Sequence, residues 1–140
     1  MELKILGSSS KGNCYLLDNG NDCLMIECGI PFKDVQKAVN FGISRIAGVI
    51  ISHEHGDHAG KCLEAQIPCY MSQGTKDALH LPQTRLVRVM EELKVYEIGN
   101  FKVQPFATQH DAKEPFGFLI YHKECGMVLF ATDTYYLHYT

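Results

Sequence analysis

The stretch Ser52-His53-Glu54-His55-Gly56-Asp57-His58-Ala59-Gly60 follows directly on the apolar run 47–51. A short apolar run of this kind reads as a buried strand. The chain must therefore deliver three imidazoles and a carboxylate at one strand's end, where sheet-based folds collect their chemistry. Imidazole and carboxylate are the usual ligands of Zn²⁺ and its borderline neighbours. Side chains two apart on an extended backbone share a side, so His53 and His55 can grip one ion. Gly56 allows a sharp bend, after which Asp57 and His58 can aim at a second ion.

A pair of ions needs more donors than this cluster offers, because each takes four or more. His110 follows the apolar stretch ending Phe106-Ala107, and Asp133 follows Leu129-Phe130-Ala131-Thr132. Each is again a polar residue at the end of an expected strand, and the two oxygens of an aspartate suit it to bridge both ions. A bound pair would lower the pKa of a shared water toward neutrality, giving hydroxide for attack on an ester, thioester or phosphodiester. No serine or cysteine nucleophile is then required. Ser8, Ser9 and Ser10 match neither a Gly-x-Ser-x-Gly elbow nor a phosphate loop ending Gly-Lys-Ser/Thr, and are read as turn residues.

The remaining sequence supplies a strand-rich scaffold. A first strand is expected over 3–6, then a loop over 7–12 rich in glycine and hydroxyls. Apolar runs at 14–17 and 23–26 flank Asp18-Asn19-Gly20-Asn21 and predict a hairpin. Residues 31–41 have proline near the start, Val35, Ala38 and Val39 at helical spacing and Gly42 just beyond, which punctuates a helix. A short helix is expected over 75–81 and a second hairpin from 94–98 and 101–107 around Gly99-Asn100. Two further strands, 116–121 and 127–132, join across Lys123-Glu124-Cys125-Gly126. The pattern predicts an α/β or α+β layered sandwich.

With 140 residues, 46% of them hydrophobic, one domain over 1–140 is the expectation. No apolar run approaches the roughly 20 residues that span a bilayer, and Met1-Glu2-Leu3-Lys4 lacks a signal-peptide pattern, so a cytoplasmic protein without a membrane partner is expected. The net charge of -3 argues against a pure nucleic-acid-binding module, though less against an enzyme whose metals supply positive charge. Six cysteines without a Cys-x-x-Cys pair are read as buried free thiols. Arg85, Arg88 and Lys94, interrupted by Glu91 and Glu92, make a mixed solvated face. His80, His122 and His138 carry no motif and are read as ordinary histidines.

His53, His55, Asp57 and His58 match in full the His-x-His-x-Asp-His motif, and in this the chain resembles the metallo-β-lactamase superfamily. His110 stands where that family has its next ligand, and Asp133 in Ala131-Thr132-Asp133-Thr134 where it has the bridging carboxylate. The resemblance implies that His53, His55 and His110 bind one metal, that Asp57 and His58 bind the other, and that Asp133 bridges; Asp57 is also taken as the catalytic residue. Two divalent ions are the implied cofactors, with zinc ahead of manganese or iron. Gly7-Ser8-Ser9-Ser10-Lys11-Gly12-Asn13-Cys14-Tyr15 and His110-Asp111-Ala112-Lys113-Glu114-Pro115-Phe116-Gly117 look like the YycJ/WalJ-type branch, described as DNA exonucleases.

Where the family has Asp-x-Gly after its third strand, this chain has Glu27-Cys28-Gly29, so Glu27 would support the ligands from one methylene further out, displaced or with that support lost. Asp111 and Glu54 are read as supporting or solvent-facing groups. The family's αββα sandwich has two β-rich halves and takes its last metal ligand from the second. Thr140 is expected to end this chain before that half, as an incomplete metallo-β-lactamase-like domain that covers its open face by self-association. Three functions follow as expectations: metal-dependent hydrolysis of DNA phosphodiesters, hydrolysis of small esters, thioesters or lactams, and a catalytically impaired metal-binding fragment.

Overall fold

The computed structural model of the chain describes residues 1–9, 12–40, 42–55, 66–81, 85–108 and 112–131. Along these the elements are β1 (Glu2–Ser9), β2 (Gly12–Asp18), β3 (Cys23–Ile26), α1 (Phe32–Ala38), a 3-10 turn (Ile43–Arg45), β4 (Ile46–Ile50), β5 (Cys69–Met71), α2 (Gln73–Ala78), β6 (Val87–Val89), β7 (Tyr96–Ile98), β8 (Phe101–Ala107), β9 (Phe116–His122) and β10 (Gly126–Phe130). No helix of the described residues is long and apolar enough to cross a membrane.

Strands β1 to β6 form one sheet in chain order, antiparallel from β1 to β3 and parallel from β3 to β6. The second sheet is an antiparallel meander ordered β10-β9-β8-β7. Every residue of β3 is buried, as parallel strands covered on both faces require. Cys23 and Met25 join Leu16, Val49 and Val35 of α1 in one core, while Leu24 and Ile26 join Ile50, Phe101, Phe116 and Phe118 in another. The first core lies between sheet and helices, the second between the sheets. The layers are therefore helices, six-stranded sheet and four-stranded sheet. Beyond the second core, Leu3 and Ile5 of β1 and Met127 and Leu129 of β10 are exposed.

Several expected boundaries move. The stretch 7–9, expected as loop, continues β1, pairing Gly7 with Cys14 and Ser9 with Gly12 after an irregularity between Ile5 and Gly7. Ladder pairing overrides turn propensity there. Helix α1 stops at Ala38 because Asn40 adopts a left-handed backbone, φ 51°, so asparagine ends it rather than Gly42. Helix α2 starts earlier than expected, capped by Ser72, whose hydroxyl accepts from the Thr75 amide at 3.0 Å. The expected hairpins form, and Gly99 turns the β7–β8 pair with φ 59°, which suits glycine. Gly117 has a different reason: an added Cβ would lie 2.5 Å from Phe106 Cζ, so that ring lies across the glycine.

Cys14, Cys23, Cys28 and Cys69 are buried free thiols, as expected, but Cys125 is exposed at the β9–β10 turn, and Cys62 lies outside the described residues. Burial pushes the Cys23 thiol up to about 12. Lys94 pairs with Glu91, and Arg88 Nη1 donates to Tyr70 Oη at 2.9 Å, in keeping with a mixed face. His122 is buried, and its Nε2 meets Asp22 Oδ2 at 2.8 Å, tying the β2–β3 turn to the second sheet.

At the edge where β2 ends, Asp18 is 3% exposed and accepts from Arg45 Nη1 at 2.6 Å, Lys4 Nζ at 3.1 Å and the Gly20 amide at 2.8 Å. The Arg45 guanidinium first, then the Gly20 amide and Lys4, hold its carboxyl well below the usual carboxylate range against the opposing pull of burial. An Asp18→Asn chain should lose about 2–3 kcal/mol, below the usual figure for breaking a buried pair because both cations are partly exposed. A depressed folded pKa stabilises above the unfolded value, near pH 4, and that contribution disappears as pH falls through the folded value. Urea titrations of both chains should therefore differ by a constant amount from pH 7 down to about pH 4 and converge below it.

Candidate metal centre

Because β3 and β4 run parallel, Glu27 and Ser52 leave the sheet at the same edge. The Glu27 amide donates to Ile50 O at 2.9 Å, extending the pairing by one residue. The second sheet reaches this edge through the Phe116 amide, which donates to Ser52 O at 2.8 Å. Ala107, at the end of β8, pairs with Phe116, and Phe130, at the end of β10, pairs with Phe118. Strands β4, β8 and β10 thus all finish at one edge of the sandwich, and these are the strands that precede His53, His110 and Asp133 in sequence.

Glu27 is fully buried, with a left-handed backbone of φ 66°. Its Oε1 accepts from the Ser52 amide at 2.8 Å and its Oε2 from the Ser52 hydroxyl at 2.7 Å. Ser52 Oγ in turn lies 2.7 Å from Nδ1 of His53, a ring that is 1% exposed. The His55 ring stands edge-on against it, centroids 4.7 Å apart and planes at 82°. Glu54, half-buried, accepts from the Lys113 amide at 3.0 Å and so ties the His53 segment to the approach to β9.

Glu27, expected to stand further from the histidines or to lose contact with them, keeps a connection to His53 through Ser52. The longer side chain engages Ser52 with both oxygens and through it reaches His53. Ser52 was passed over in the sequence, although a hydroxyl directly before the first histidine was the available signal. Of the expected ligands, His53 and His55 are brought together; Asp57, His58, His110 and Asp133, together with Asp111, lie outside the described residues. Among the described residues no three His, Cys, Asp or Glu side chains gather as a metal-holding group. Those present nevertheless fit a divalent ion. A buried imidazole bonded through Nδ1 offers Nε2, itself a buried atom, and a second imidazole lies against it.

A family model described as Metallo-beta-lactamase superfamily matches residues 9–62, a span that includes Glu27 and the His53–His58 cluster. YhfI of Bacillus subtilis, a metallo-beta-lactamase fold protein, superposes with a TM-score of 0.72 at 18% identity, covering 91% of this chain and 56% of that one. The metallo-beta-lactamase SMB-1 gives 0.71 at 19% identity, covering 92% and 60%. The chain has the metallo-β-lactamase fold, and over residues 9–62 its sequence resembles that superfamily. Within it the resemblance runs to the YycJ/WalJ branch: the chain is 26% identical to exodeoxyribonuclease YycJ of Bacillus anthracis over 98% of its own length and 56% of that protein. It is 24% identical to exodeoxyribonuclease WalJ of Streptococcus pneumoniae over 95% and 54%. The chain spans about half the length of these curated relatives.

Proposed function

We propose that this chain carries the metal centre of a metal-dependent hydrolase that cleaves phosphodiester bonds in DNA. The observation that carries the reading is the buried His53 ring, bonded through Ser52 to Glu27 and set edge-on to His55. His53, His55 and His110 would hold one ion, Asp57 and His58 a second, with Asp133 between them; zinc suits this donor set best, and manganese or iron also match it. Bound there, such ions supply a hydroxide nucleophile near neutral pH and stabilise charge developing on a phosphoryl oxygen. The chain's own part is to fix the donors: Glu27 and Ser52 hold the first histidine, and burial of that ring removes its competing contacts with water. The choice of DNA rests on the two relatives named as exodeoxyribonucleases.

The metal-loaded chain should release nucleotides from DNA and aryl alcohol from a bis-aryl phosphate, and His55→Ala and Asp133→Ala should bring both activities to background. Ester, thioester and lactam substrates assayed alongside should turn over more slowly. Full metal loading with both phosphodiesters left intact contradicts the proposal, and faster turnover of an ester or lactam moves it to that substrate class.

A further inference from the structure

We propose that Glu27 and Ser52 form a one-directional hydrogen-bond relay that fixes the tautomer of His53, with the proton on Nδ1 and the lone pair on Nε2. The inference rests on the metal-centre reading and deepens it by naming what sets the first ligand.

The direction follows from counting protons. Both Glu27 oxygens accept from Ser52, one from its amide and one from its hydroxyl. A serine hydroxyl has a single proton, and here that proton is given to Glu27 Oε2 at 2.7 Å. Toward His53 Nδ1, 2.7 Å away, the same oxygen has only lone pairs to offer. A bond at that distance then requires Nδ1 to be the donor, and a neutral imidazole protonated at Nδ1 is bare at Nε2. All three residues are within 1% of full burial, so water is a poor substitute for any member of the chain. The longer side chain of glutamate is what reaches both donors of Ser52.

Glu27→Gln separates direction from packing. Glutamine has almost the same shape and can still accept from the Ser52 amide through Oε1, but its NH₂ must then donate to Ser52 Oγ. The serine proton is released toward His53 Nδ1, which becomes an acceptor, and the ring proton moves to Nε2. Ser52 is thus a positioning residue acting through its hydroxyl, and Ser52→Thr keeps that hydroxyl whereas Ser52→Ala removes it.

Long-range ¹H–¹⁵N spectra of the metal-free chain, recorded where the ring is neutral, read the tautomer directly, and zinc titration reads the consequence. Wild type and Ser52→Thr should show His53 protonated at Nδ1 alone. Glu27→Gln should show it protonated at Nε2 and bind zinc about 10–100-fold more weakly, the usual range for a supporting partner. Ser52→Ala, which also serves if Glu27→Gln does not fold, should lose the single-tautomer signature. A wild-type ring protonated at Nε2, or variants with unchanged tautomer and zinc affinity, overturns the relay. A wild-type chain with the Nδ1 proton but no zinc binding leaves the relay standing and removes the metal-centre reading instead.

Discussion

His53→Ala is expected to weaken zinc binding by at least about a hundredfold, because ~10–16 kcal/mol of binding shared among four donors is ~3 kcal/mol for each. The loss should exceed that from His55→Ala. His53 is the buried member of the pair and is already oriented by Ser52, whereas His55 is half-buried and pays more entropy to be held in place. The substitution also strands Ser52 Oγ without its ring partner, while leaving Glu27 bonded to the Ser52 amide. Metal-dependent phosphodiesterase activity should fall with metal occupancy and recover only partly at high zinc. Competition titration against a chromophoric chelator measures the first effect, and His53→Ala binding zinc like wild type would remove this histidine from the ligand set.

The second large effect is on stability. Phe118→Ala should cost about 3–5 kcal/mol and lower the melting temperature by roughly 10–15 °C for a chain of this size. Phe118 is fully buried between the sheets, stands across from Pro105 and Phe130 on the neighbouring strands, and meets the Phe116 ring edge-on at 6.3 Å. Its removal leaves a cavity that flanking backbone ladders on both sides cannot close. Met127, 64% exposed on β10, provides the contrast: Met127→Ala should change stability by no more than about 0.5 kcal/mol. Urea unfolding of the two variants side by side tests the layer assignment, and equal costs would refute a core between the sheets.

The closeness of His53 and His55 at the end of β4 was legible because its signal is local: an apolar run followed by polar side chains at fixed spacing needs no knowledge of distant contacts. The hairpins around Asn19-Gly20 and Gly99-Asn100 were legible for the same reason, since turn chemistry and flanking apolar runs lie within a few residues. Strands β5 and β6 were missed because each has three residues and is defined by its parallel neighbours rather than by any alternation of its own. The continuation of β1 through Ser9 was missed because pairing with β2 recruits residues whose own preference is to turn. The contact that Glu27 makes was not legible: whether one extra methylene spoils or preserves it depends on where Ser52 sits, 25 residues away in sequence. The partly buried tie between His122 and Asp22 is likewise a product of the two sheets meeting, with nothing near either residue in sequence to announce it.

Elemental analysis of the purified chain, after zinc loading and removal of free ion, tests the central claim most directly. Stoichiometric zinc on the wild-type chain, absent from a chain carrying His53→Ala and His55→Ala together, is the predicted result. The same trace metal on both chains, with both folded, would contradict it.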